Sequence, residues 1–389
     1  MIKFVRKILE KMYIPRLLSR YVLDAQPFFS VTVITGPRRS GKTQLCKHLF
    51  PDYKYVNLED LDARVLARDH PKSFLDSLGK NAIIDEAQNV PEIMSSIQVA
   101  VDQDKDIRYI ITGSANFALI KGVTQSLAGR VAMFTLLPLS FPELIERDLY
   151  SLSIEYLMWR GSYPGVVAEN IPVDLFYRNY VNTYIERDVR DLLNVKDLLK
   201  FQIFLKMTAA RCGSEFNAVA ISKEVGVSAT TVTEWLSVLM ASYIVYRVAP
   251  YHINLNKRLT KMPKLYFYDT GLLAYLLGLE NENQIEKSPY RGILFENLAM
   301  GELLKQRYNQ GKEPDMNFYR EHSGKEVDVV AKSKSGGLHL YEIKASKAFH
   351  AEFTKNIKYL EGLVPEIDSW SVIYDGDNVG DTLINIREI

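Results

Sequence analysis

The sequence has little cysteine and no long apolar run. Its 389 residues include only 2 cysteines, Cys46 and Cys212, which are far apart and form neither a disulfide framework nor a C-x-x-C metal pair. No stretch approaches the ~18 consecutive apolar residues that a transmembrane helix needs. Lysine and arginine (48) balance aspartate and glutamate (47), which argues against a uniformly basic protein that coats nucleic acid. These absences predict a cytoplasmic protein with no membrane span.

The composition that remains is typical of a folded chain with several domains. The hydrophobic fraction is 47% and the charged fraction 24%, as in ordinary globular proteins. At ~150 residues per domain, the length predicts two or three domains. Residues 2–12 have a basic, amphipathic pattern, which we interpret as a helix packed on the next domain rather than a membrane-surface or transit helix.

A phosphate-binding loop follows a short apolar strand. Residues 31–35 are a β-branched run, and residues 36–43 read G-x-x-x-x-G-K-T before a helical segment. The glycines let backbone N–H groups turn toward phosphates, the lysine adds a positive charge, and the threonine can ligate Mg²⁺. We therefore predict that ATP and Mg²⁺ bind here. The predicted nucleotide-binding residues are Gly36, Pro37, Arg38, Arg39, Ser40, Gly41, Lys42 and Thr43.

The second half of such a site is an acid at the end of an apolar strand. Residues 82–84 are apolar and are followed by Asp85 and Glu86. We predict that Asp85, with Thr43, belongs to the Mg²⁺ shell. Glu86 is the predicted catalytic residue that polarises the attacking water, which distinguishes an ATPase from a protein that only binds nucleotide.

A third apolar strand, residues 108–112, ends in Gly-Ser-Ala-Asn. With these three strands the chain resembles the AAA+ ATPases, in which a polar residue at this strand tip senses the γ-phosphate. The resemblance gives that role to Ser114 or, alternatively, to Asn116. The alternative role for Ser114 is a helix cap.

The resemblance also implies an arginine finger. In AAA+ relatives an arginine after the next helix reaches the γ-phosphate of a neighbouring subunit, and Arg130, at the end of SLAGR, takes this catalytic role by resemblance. Arg187 and Arg190 are the rivals, and a plain surface arginine is the other reading. A finger that acts in trans implies a homo-oligomer, such as a hexamer-like ring.

Further segments resemble one branch of the AAA+ proteins, prokaryotic ATPases with a C-terminal domain of unknown function. The segments are VAMFTLLPLSFPE (131–143), RGSYPGV (160–166), VNTYIERDVRDL (181–192), LYFYDTGLLAYLLG (265–278) and GILFENL (292–298). They extend the resemblance over nearly the whole chain. They imply an ATPase domain followed by two smaller domains.

The middle of the chain is predicted to be a winged helix. Three helical stretches lie between residues 197 and 242, with a turn at Gly226 and a cap at Ser228. Residues 244–248 and 264–268 read as strands of the wing. The presumed recognition helix has no lysine or arginine, which disfavours a transcription regulator that reads DNA bases.

The predicted wing is basic. Its bases are Lys257, Arg258, Lys261 and Lys264, with no acid between residues 251 and 264. Such a cluster is typical of phosphate contact, and a solvated loop is the alternative. Nucleic acid is therefore a predicted partner, with the wing as its point of contact.

The C-terminal part has the residue pattern of a metal-dependent nuclease. A helix at 291–308 precedes three strands, and Asp328, Glu342 and Lys344 give a D…E-x-K pattern on two of them. Because residues i and i+2 of a strand share a face, Glu342 and Lys344 point together. Carboxylates can hold Mg²⁺ beside a scissile phosphate.

The D…E-x-K pattern resembles the PD-(D/E)xK nuclease superfamily. That resemblance implies that Glu296, on the preceding helix, completes a metal site with Asp328 and Glu342. It also implies that Glu342 and Lys344 are catalytic, with Lys344 orienting or deprotonating water. Charges on the solvent face of a half-buried sheet are the alternative reading.

The expected fold class is α/β, with an AAA+ P-loop NTPase parallel sheet, a winged helix and a restriction-endonuclease-like α/β domain. The predicted domains are residues 1–192, 193–285 and 286–389. The leading hypothesis is an oligomeric ATPase with a Mg²⁺-dependent nuclease acting on DNA or RNA. The second is an ATP-driven switch whose inactive nuclease fold binds nucleic acid or a partner protein.

Overall fold

The computed structural model describes most of the 389-residue chain. The described residues are 13–114, 123, 126–147, 151–185, 198–251, 262–321 and 323–389. The predictions that lie outside them concern the helix at 2–12, Asn116, Arg187, Arg190, Lys257, Arg258 and Lys261.

The first region is built on a parallel sheet of five strands. They are β1 (Val31–Thr35), β2 (Lys54–Asn57), β3 (Asn81–Asp85), β4 (Arg108–Thr112) and β5 (Val131–Thr135). Their order in the sheet is β2-β3-β4-β1-β5. The predicted strands at 31–35 and 108–112 are confirmed without change. Parallel central strands are buried on both faces, and all five residues of β1 are buried.

Helices cover both faces of this sheet. They are α1 (Ser19–Ala25), α2 (Lys42–Leu49), α3 (Leu61–Asp69), α4 (Pro71–Leu78) and α5 (Ile93–Gln103). Val33 packs into the core on one face and Ile34 into the core on the other. This alternation follows from the period of two in a strand, and it leaves the carboxyl ends of the strands as the open edge.

The middle region is helical and ends in a hairpin. Its helices are α6 (Ile154–Arg160), α7 (Pro164–Val167), α8 (Val173–Tyr180), α9 (Leu198–Ala210), α10 (Ala218–Val225) and α11 (Ala229–Ala241). Gly226 ends α10 with φ +73°, and the Ser228 hydroxyl caps α11 by accepting from Thr231 N. The strands β6 (Val245–Pro250) and β7 (Lys264–Phe267) pair in antiparallel fashion.

The hairpin is continuous with the C-terminal sheet. The further strands of that sheet are β8 (Met316–Arg320), β9 (Glu326–Lys332), β10 (Leu338–Lys344), β11 (Ile367–Tyr374) and β12 (Leu383–Asn385). The sheet has the order β12-β11-β10-β9-β8-β6-β7, and β6 joins it through parallel pairing of Pro250 with Phe318. The sheet therefore crosses the predicted boundary at residue 285.

The remaining helices are α12 (Thr270–Leu276), α13 (Glu282–Lys287), α14 (Arg291–Tyr308) and α15 (Lys355–Glu361). The predicted helix at 291–308 is confirmed. Asn297, on α14, is fully buried and bonds both backbone groups of Phe267, accepting from its N–H at 2.7 Å and donating to its carbonyl at 3.1 Å. The Asn297 amide thus pairs with the backbone of β7 as a neighbouring strand would, and this pairing holds α14 against β7.

None of the helices in the described ranges is long and apolar enough to cross a membrane. Both cysteines are free and buried, which confirms that they form no disulfide with each other.

One buried carboxylate connects α12 to the segment after α6. Asp269 is 2% exposed. It caps α12 by accepting from Leu272 N at 2.9 Å, and it also accepts from Ser162 N at 2.8 Å and from the Tyr177 hydroxyl at 2.7 Å. A single side chain therefore satisfies donors from three segments.

We expect Asp269→Ala to lower the free energy of unfolding by about 3 kcal/mol, because three buried donors lose their acceptor. Asn281→Ala is the matched control, since Asn281 caps α13 at an exposed position, and it should cost about 1 kcal/mol. Urea unfolding followed by circular dichroism measures both. Equal losses would show that Asp269 is only a helix cap.

Candidate functional site

The loop between β1 and α2 is shaped by two glycines. Gly36 has φ +140°, and a Cβ there would clash with the carbonyl oxygen of Leu136. Gly41 has φ +98° and immediately precedes the first turn of α2. Both conformations favour glycine. The loop therefore places the positive end of α2 at the carboxyl edge of the sheet, where phosphates bind well.

Lys42 is buried beneath this loop, at 6% exposure. Its ammonium group donates to the carbonyl oxygens of Gly36 at 3.0 Å and Pro37 at 2.8 Å. Burial lowers the pKa of Lys42 to about 8, and the negative charges of Glu86 and Asp85 only partly offset this effect. Contacts to phosphate oxygens would supply the missing negative charge.

Asp85 is the centre of a hydrogen-bonded group at the end of β3. The Thr43 hydroxyl donates to Asp85 Oδ2 at 2.8 Å, and the Tyr55 hydroxyl donates to the same oxygen at 2.8 Å. The Thr112 hydroxyl donates to Asp85 Oδ1. The structure thus brings together the predicted pair, Thr43 and Asp85. Tyr55 and Thr112 are not among the residues predicted for this site, although Thr112 ends a predicted strand at the same edge.

Glu86 has a strained backbone, with φ +54°. Gln88 Nε2 donates to Glu86 Oε2. Non-glycine residues in this left-handed region cost energy and concentrate at functional sites. The catalytic role of Glu86 stays a prediction.

Arg16 also belongs to this site, although it is not among the predicted residues. It is buried, and its guanidinium donates to the Ser40 carbonyl at 2.8 Å, the Leu137 carbonyl at 2.6 Å and Glu143 Oε1 at 2.9 Å. Although burial acts to raise the pKa of Glu143, the charge of Arg16 holds that pKa below its ordinary value. No sequence motif marks Arg16, because its partners are distant in the chain.

Ser114 and Arg130 lie in different places. Ser114 is buried at the carboxyl end of β4, beside the site. The carbonyl of Arg130 accepts from Val31 N at the amino end of β1, roughly 17 Å along the strand from the phosphate loop at ~3.3 Å per residue. The guanidinium of Arg130 binds Asp102 at 2.7 and 2.9 Å. Its predicted action on a neighbouring subunit therefore requires that this ion pair opens.

The middle region lies against the phosphate loop. The hydroxyl groups of Tyr243 and Thr35 are 2.9 Å apart. A Cβ at Gly41 would lie 3.8 Å from the Pro164 side chain, so the RGSYPGV segment adjoins the loop. These contacts were not predicted from the sequence, which assigned no role to Tyr243.

The presumed recognition helix, α11, packs inward as expected. Its buried residues are Val232, Trp235, Leu236, Val238 and Leu239. The Trp235 ring packs against the rings of Phe201 and Phe204 on α9, with 5.5 Å between ring centroids in each pair. This face is therefore part of the core.

The C-terminal candidate site forms where β9 and β10 separate. The two strands pair up to Val329 and Tyr341. Beyond that pair Asp328 Oδ2 accepts from Ile343 N at 2.8 Å. The side chain of Asp328 thus substitutes for a backbone partner, and it lies directly beside the strand that contains Glu342 and Lys344.

Glu342 and Lys344 form a close ion pair, with Lys344 Nζ 2.6 Å from Glu342 Oε1. Glu342 is 4% exposed, and its other oxygen, Oε2, is buried without a hydrogen-bond partner. Burial, and then the charge of Asp328, raise the pKa of Glu342. The structure therefore brings Asp328, Glu342 and Lys344 to one place.

Glu296 reaches the same cluster from α14. The Tyr266 hydroxyl donates to Glu296 Oε1 at 2.6 Å. Burial raises the pKa of Glu296, and the nearby charge of Asp328 adds to the effect. Its helix is held by Asn297, so the position of Glu296 is set by the contact between α14 and β7.

Lys264 lies in this cluster, and the expectation that it contacts nucleic acid from the wing is wrong. It is 3% exposed. Its ammonium group is 3.7 Å from Glu296 Oε1 and forms an ion pair with Glu326. Glu326 shares a strand face with Asp328, a signal that was available in the sequence. Nothing local in the sequence connects Lys264 with the carboxylates.

The carboxylates of the C-terminal site meet only part of what a divalent cation such as Mg²⁺ requires of its ligands. Carboxylate oxygens are the ligands that Mg²⁺ prefers, and the unpartnered Oε2 of Glu342 is a free acceptor beside Asp328. In the described part of the chain, however, no three His, Cys, Asp or Glu residues are grouped closely enough to hold a metal ion. Glu296 therefore does not form a three-ligand group with Asp328 and Glu342 in this conformation.

The parallel sheet, the loop between β1 and α2, and the acid at the end of β3 define a P-loop ATPase. Residues 29–145 match the family described as AAA domain. Residues 151–283 and 291–388 match two families described as domains of unknown function, DUF8612 and DUF4143. Neither description names a winged helix or a nuclease, so both interpretations stay predictions.

Uncharacterized proteins of Mycobacterium bovis and Mycobacterium tuberculosis are each 30% identical to this chain over 320 residues, which cover 81% of this chain and 70% of theirs. An uncharacterized protein of Haemophilus influenzae is 25% identical, with 72% and 75% covered. The chain belongs to the family of the mycobacterial proteins, with an AAA domain in its first region. Among solved structures, a Walker-type ATPase of Pyrococcus abyssi has a TM-score of 0.46 at 14% identity, with 67% of this chain and 94% of that chain covered.

The lowered pKa of Lys42 predicts a pH dependence of ATP binding. Above pH 8 the free protein loses the Lys42 proton, whereas bound phosphates keep the ammonium charged. The affinity for ATP should therefore fall by up to about tenfold per pH unit between pH 8 and 9.5. Calorimetric titration with ATP measures this fall and the accompanying proton uptake.

Lys42→Arg is the control, since a guanidinium stays charged over this range. Its affinity, even if lower overall, should not change with pH. A wild-type affinity that is constant up to pH 9.5 would contradict the lowered pKa.

Proposed function

We propose that this P-loop ATPase couples its nucleotide state to a Mg²⁺-dependent, nuclease-like site in the C-terminal region that acts on DNA or RNA. The convergence of Asp328, Glu342 and Lys344 where β9 and β10 separate is the observation that supports the second activity best. The AAA domain match supports the first.

At the ATP site, the roles follow from the contacts of each side chain. Lys42 exchanges the carbonyls of Gly36 and Pro37 for β- and γ-phosphate oxygens. Thr43 and Asp85 would hold Mg²⁺, which neutralises charge on the phosphates. Glu86, released from Gln88, orients the attacking water and accepts its proton.

At the C-terminal site, Asp328 and Glu342 would hold Mg²⁺, which stabilises charge on a phosphodiester. The Oε2 atom of Glu342, which is buried without a hydrogen-bond partner, is the oxygen best suited to bind the ion. Lys344, held by Glu342 at 2.6 Å, orients water toward the phosphorus and stabilises negative charge as it develops.

Buried polar contacts support coupling between the two sites. Arg16 binds both the Ser40 carbonyl in the phosphate loop and Glu143. Glu143 accepts from Ser140 N at 2.9 Å, and Asn309, just after α14, donates to the Ser140 hydroxyl at 3.0 Å. A change at the phosphate loop is thereby transmitted toward the helix that contains Glu296.

We further propose that Arg130 acts in trans in a homo-oligomer, such as a hexamer-like ring. In that assembly Asp102 releases Arg130 when a neighbouring subunit presents its γ-phosphate. Ser114 remains the proposed sensor in the same chain, beside Thr112 and Asp85.

A second candidate function is a nucleotide-driven switch whose C-terminal fold binds nucleic acid or a partner protein without cleaving it. The observation that favours it is the absence, among the described residues, of three grouped metal ligands. Cleavage in the presence of a divalent cation discriminates between the two functions.

Glu86→Gln should lower the rate of ATP hydrolysis by about 100-fold or more and leave the affinity for ATP within about threefold, because Gln keeps the shape of the side chain without its basicity. Steady-state phosphate release and nucleotide titration measure the two effects. Glu92→Gln, an exposed position on the same segment, is the control and should hydrolyse like the wild type. Unchanged hydrolysis in Glu86→Gln would remove Glu86 from the mechanism.

Glu342→Ala and Lys344→Ala should each abolish Mg²⁺- or Mn²⁺-dependent cleavage of nucleic acid, while ATP hydrolysis stays within about twofold. The reason is that they remove a proposed metal ligand and a cation that orients water. Gel assays with single- and double-stranded DNA and RNA, with and without ATP, measure cleavage. Lys347→Ala, at an exposed position, is the control. Absence of cleavage by the wild type on every substrate would favour the switch.

A further inference from the structure

Lys264 places a positive charge among the carboxylates of the C-terminal site. It lies at the start of β7, outside the C-terminal domain predicted from the sequence, and 3% of the residue is exposed. Its ammonium group forms an ion pair with Glu326 and lies 3.7 Å from Glu296 Oε1. The hairpin of β6 and β7 thus supplies a residue to a site whose D…E-x-K residues all lie in the C-terminal region.

A buried ammonium group is costly unless other charges offset it. Glu296 and Glu326 lie beside Lys264, Glu342 lies beside Lys344, and the charge of Asp328 acts on both lysines. Arg320, more exposed, lies 3.6 Å from Glu326. Burial alone would lower the pKa of Lys264, but the charges of Glu296 and Glu326 outweigh it and raise the pKa.

The two lysines form ion pairs with different carboxylates. Lys344 is paired with Glu342, within the E-x-K pattern. Lys264 is paired with Glu326 and lies near Glu296. Both lysines also act on Asp328: burial raises the pKa of this carboxyl group, and the charges of Lys344 and Lys264 oppose the increase.

We propose that Lys264 is a resident cation beside the carboxylate site, whose charge acts on Asp328 as well as on Glu296 and Glu326 and so weakens the binding of a divalent metal. This inference rests on the proposed metal site of the C-terminal region. Lys264 is a positioning residue, because it acts through Glu296 and Glu326. Its position on β7 connects metal occupancy to the placement of the hairpin, which is continuous with the middle region.

The test measures binding of Mn²⁺ alone to the full chain by isothermal titration, without nucleotide or nucleic acid. Binding that is lost in Glu342→Gln is assigned to the C-terminal site. Lys264→Met should bind Mn²⁺ about tenfold more tightly than the wild type, since a unit charge roughly 5 Å from a divalent cation has an effect of about this size even in the dielectric of water. Lys332→Met is the matched control, because Lys332 is in the same sheet with a 73% exposed side chain, and its affinity should not change.

Glu326→Gln, which retains Lys264, keeps the test decisive if Lys264→Met fails to fold. Glu326→Gln removes a negative charge and should weaken Mn²⁺ binding by about tenfold. Lys264→Met with Glu326→Gln removes one charge of each sign and should return the affinity to within about threefold of the wild type. A purely structural lysine would not produce this pattern of opposite and cancelling effects.

The outcomes separate the inference from the function on which it rests. Equal Mn²⁺ affinity in the wild type, Lys264→Met and Glu326→Gln overturns the role of Lys264 and leaves the metal site in place. Weaker binding in Lys264→Met also overturns it. Binding that Glu342→Gln does not reduce, or no binding to any variant, overturns the proposed metal site itself and with it the inference.

Discussion

The arrangement of the regions depends on the buried ammonium group of Lys305. This group, on α14, donates to the Leu139 carbonyl at 2.9 Å and the Ser162 hydroxyl at 3.0 Å, and it binds Glu302 at 2.7 Å. A buried charge tolerates only the geometry that satisfies it. Leu139 follows the parallel sheet, and Ser162 lies two residues before Pro164, which adjoins the phosphate loop. The contacts of Lys305 therefore hold α14 against the ATPase region.

Both candidate sites contain buried charged side chains, but the balance of charge around them is opposite. At the phosphate loop a buried lysine has too little negative charge around it, so burial lowers the pKa of Lys42 and polyphosphate completes the site. At the C-terminal site the carboxylates are in excess, and burial raises the pKa of Glu342 and Glu296. That site favours cations, and Lys264 is one that the chain itself supplies.

The predictions from sequence were accurate where the determinants are local. The strands at 31–35 and 108–112, the helix at 291–308, and the caps at Gly226 and Ser228 follow from side-chain periodicity and turn chemistry within a few residues. Lys264 was predicted to lie in a solvent-facing wing because the surrounding residues are basic. The local sequence gives no sign of the carboxylates that pair with this lysine, since they come from elements later in the chain.

The sequence by itself determined the presence of a P-loop, its acid at Asp85, and a D…E-x-K pattern, because each consists of residue types at short, regular spacing. Only the tertiary structure decided which polar groups complete these sites. Arg16 reaches the phosphate loop, and Thr112 reaches Asp85 from a neighbouring strand. Such contacts join residues that are distant in the chain, and they form only when burial forces each polar group to find a partner.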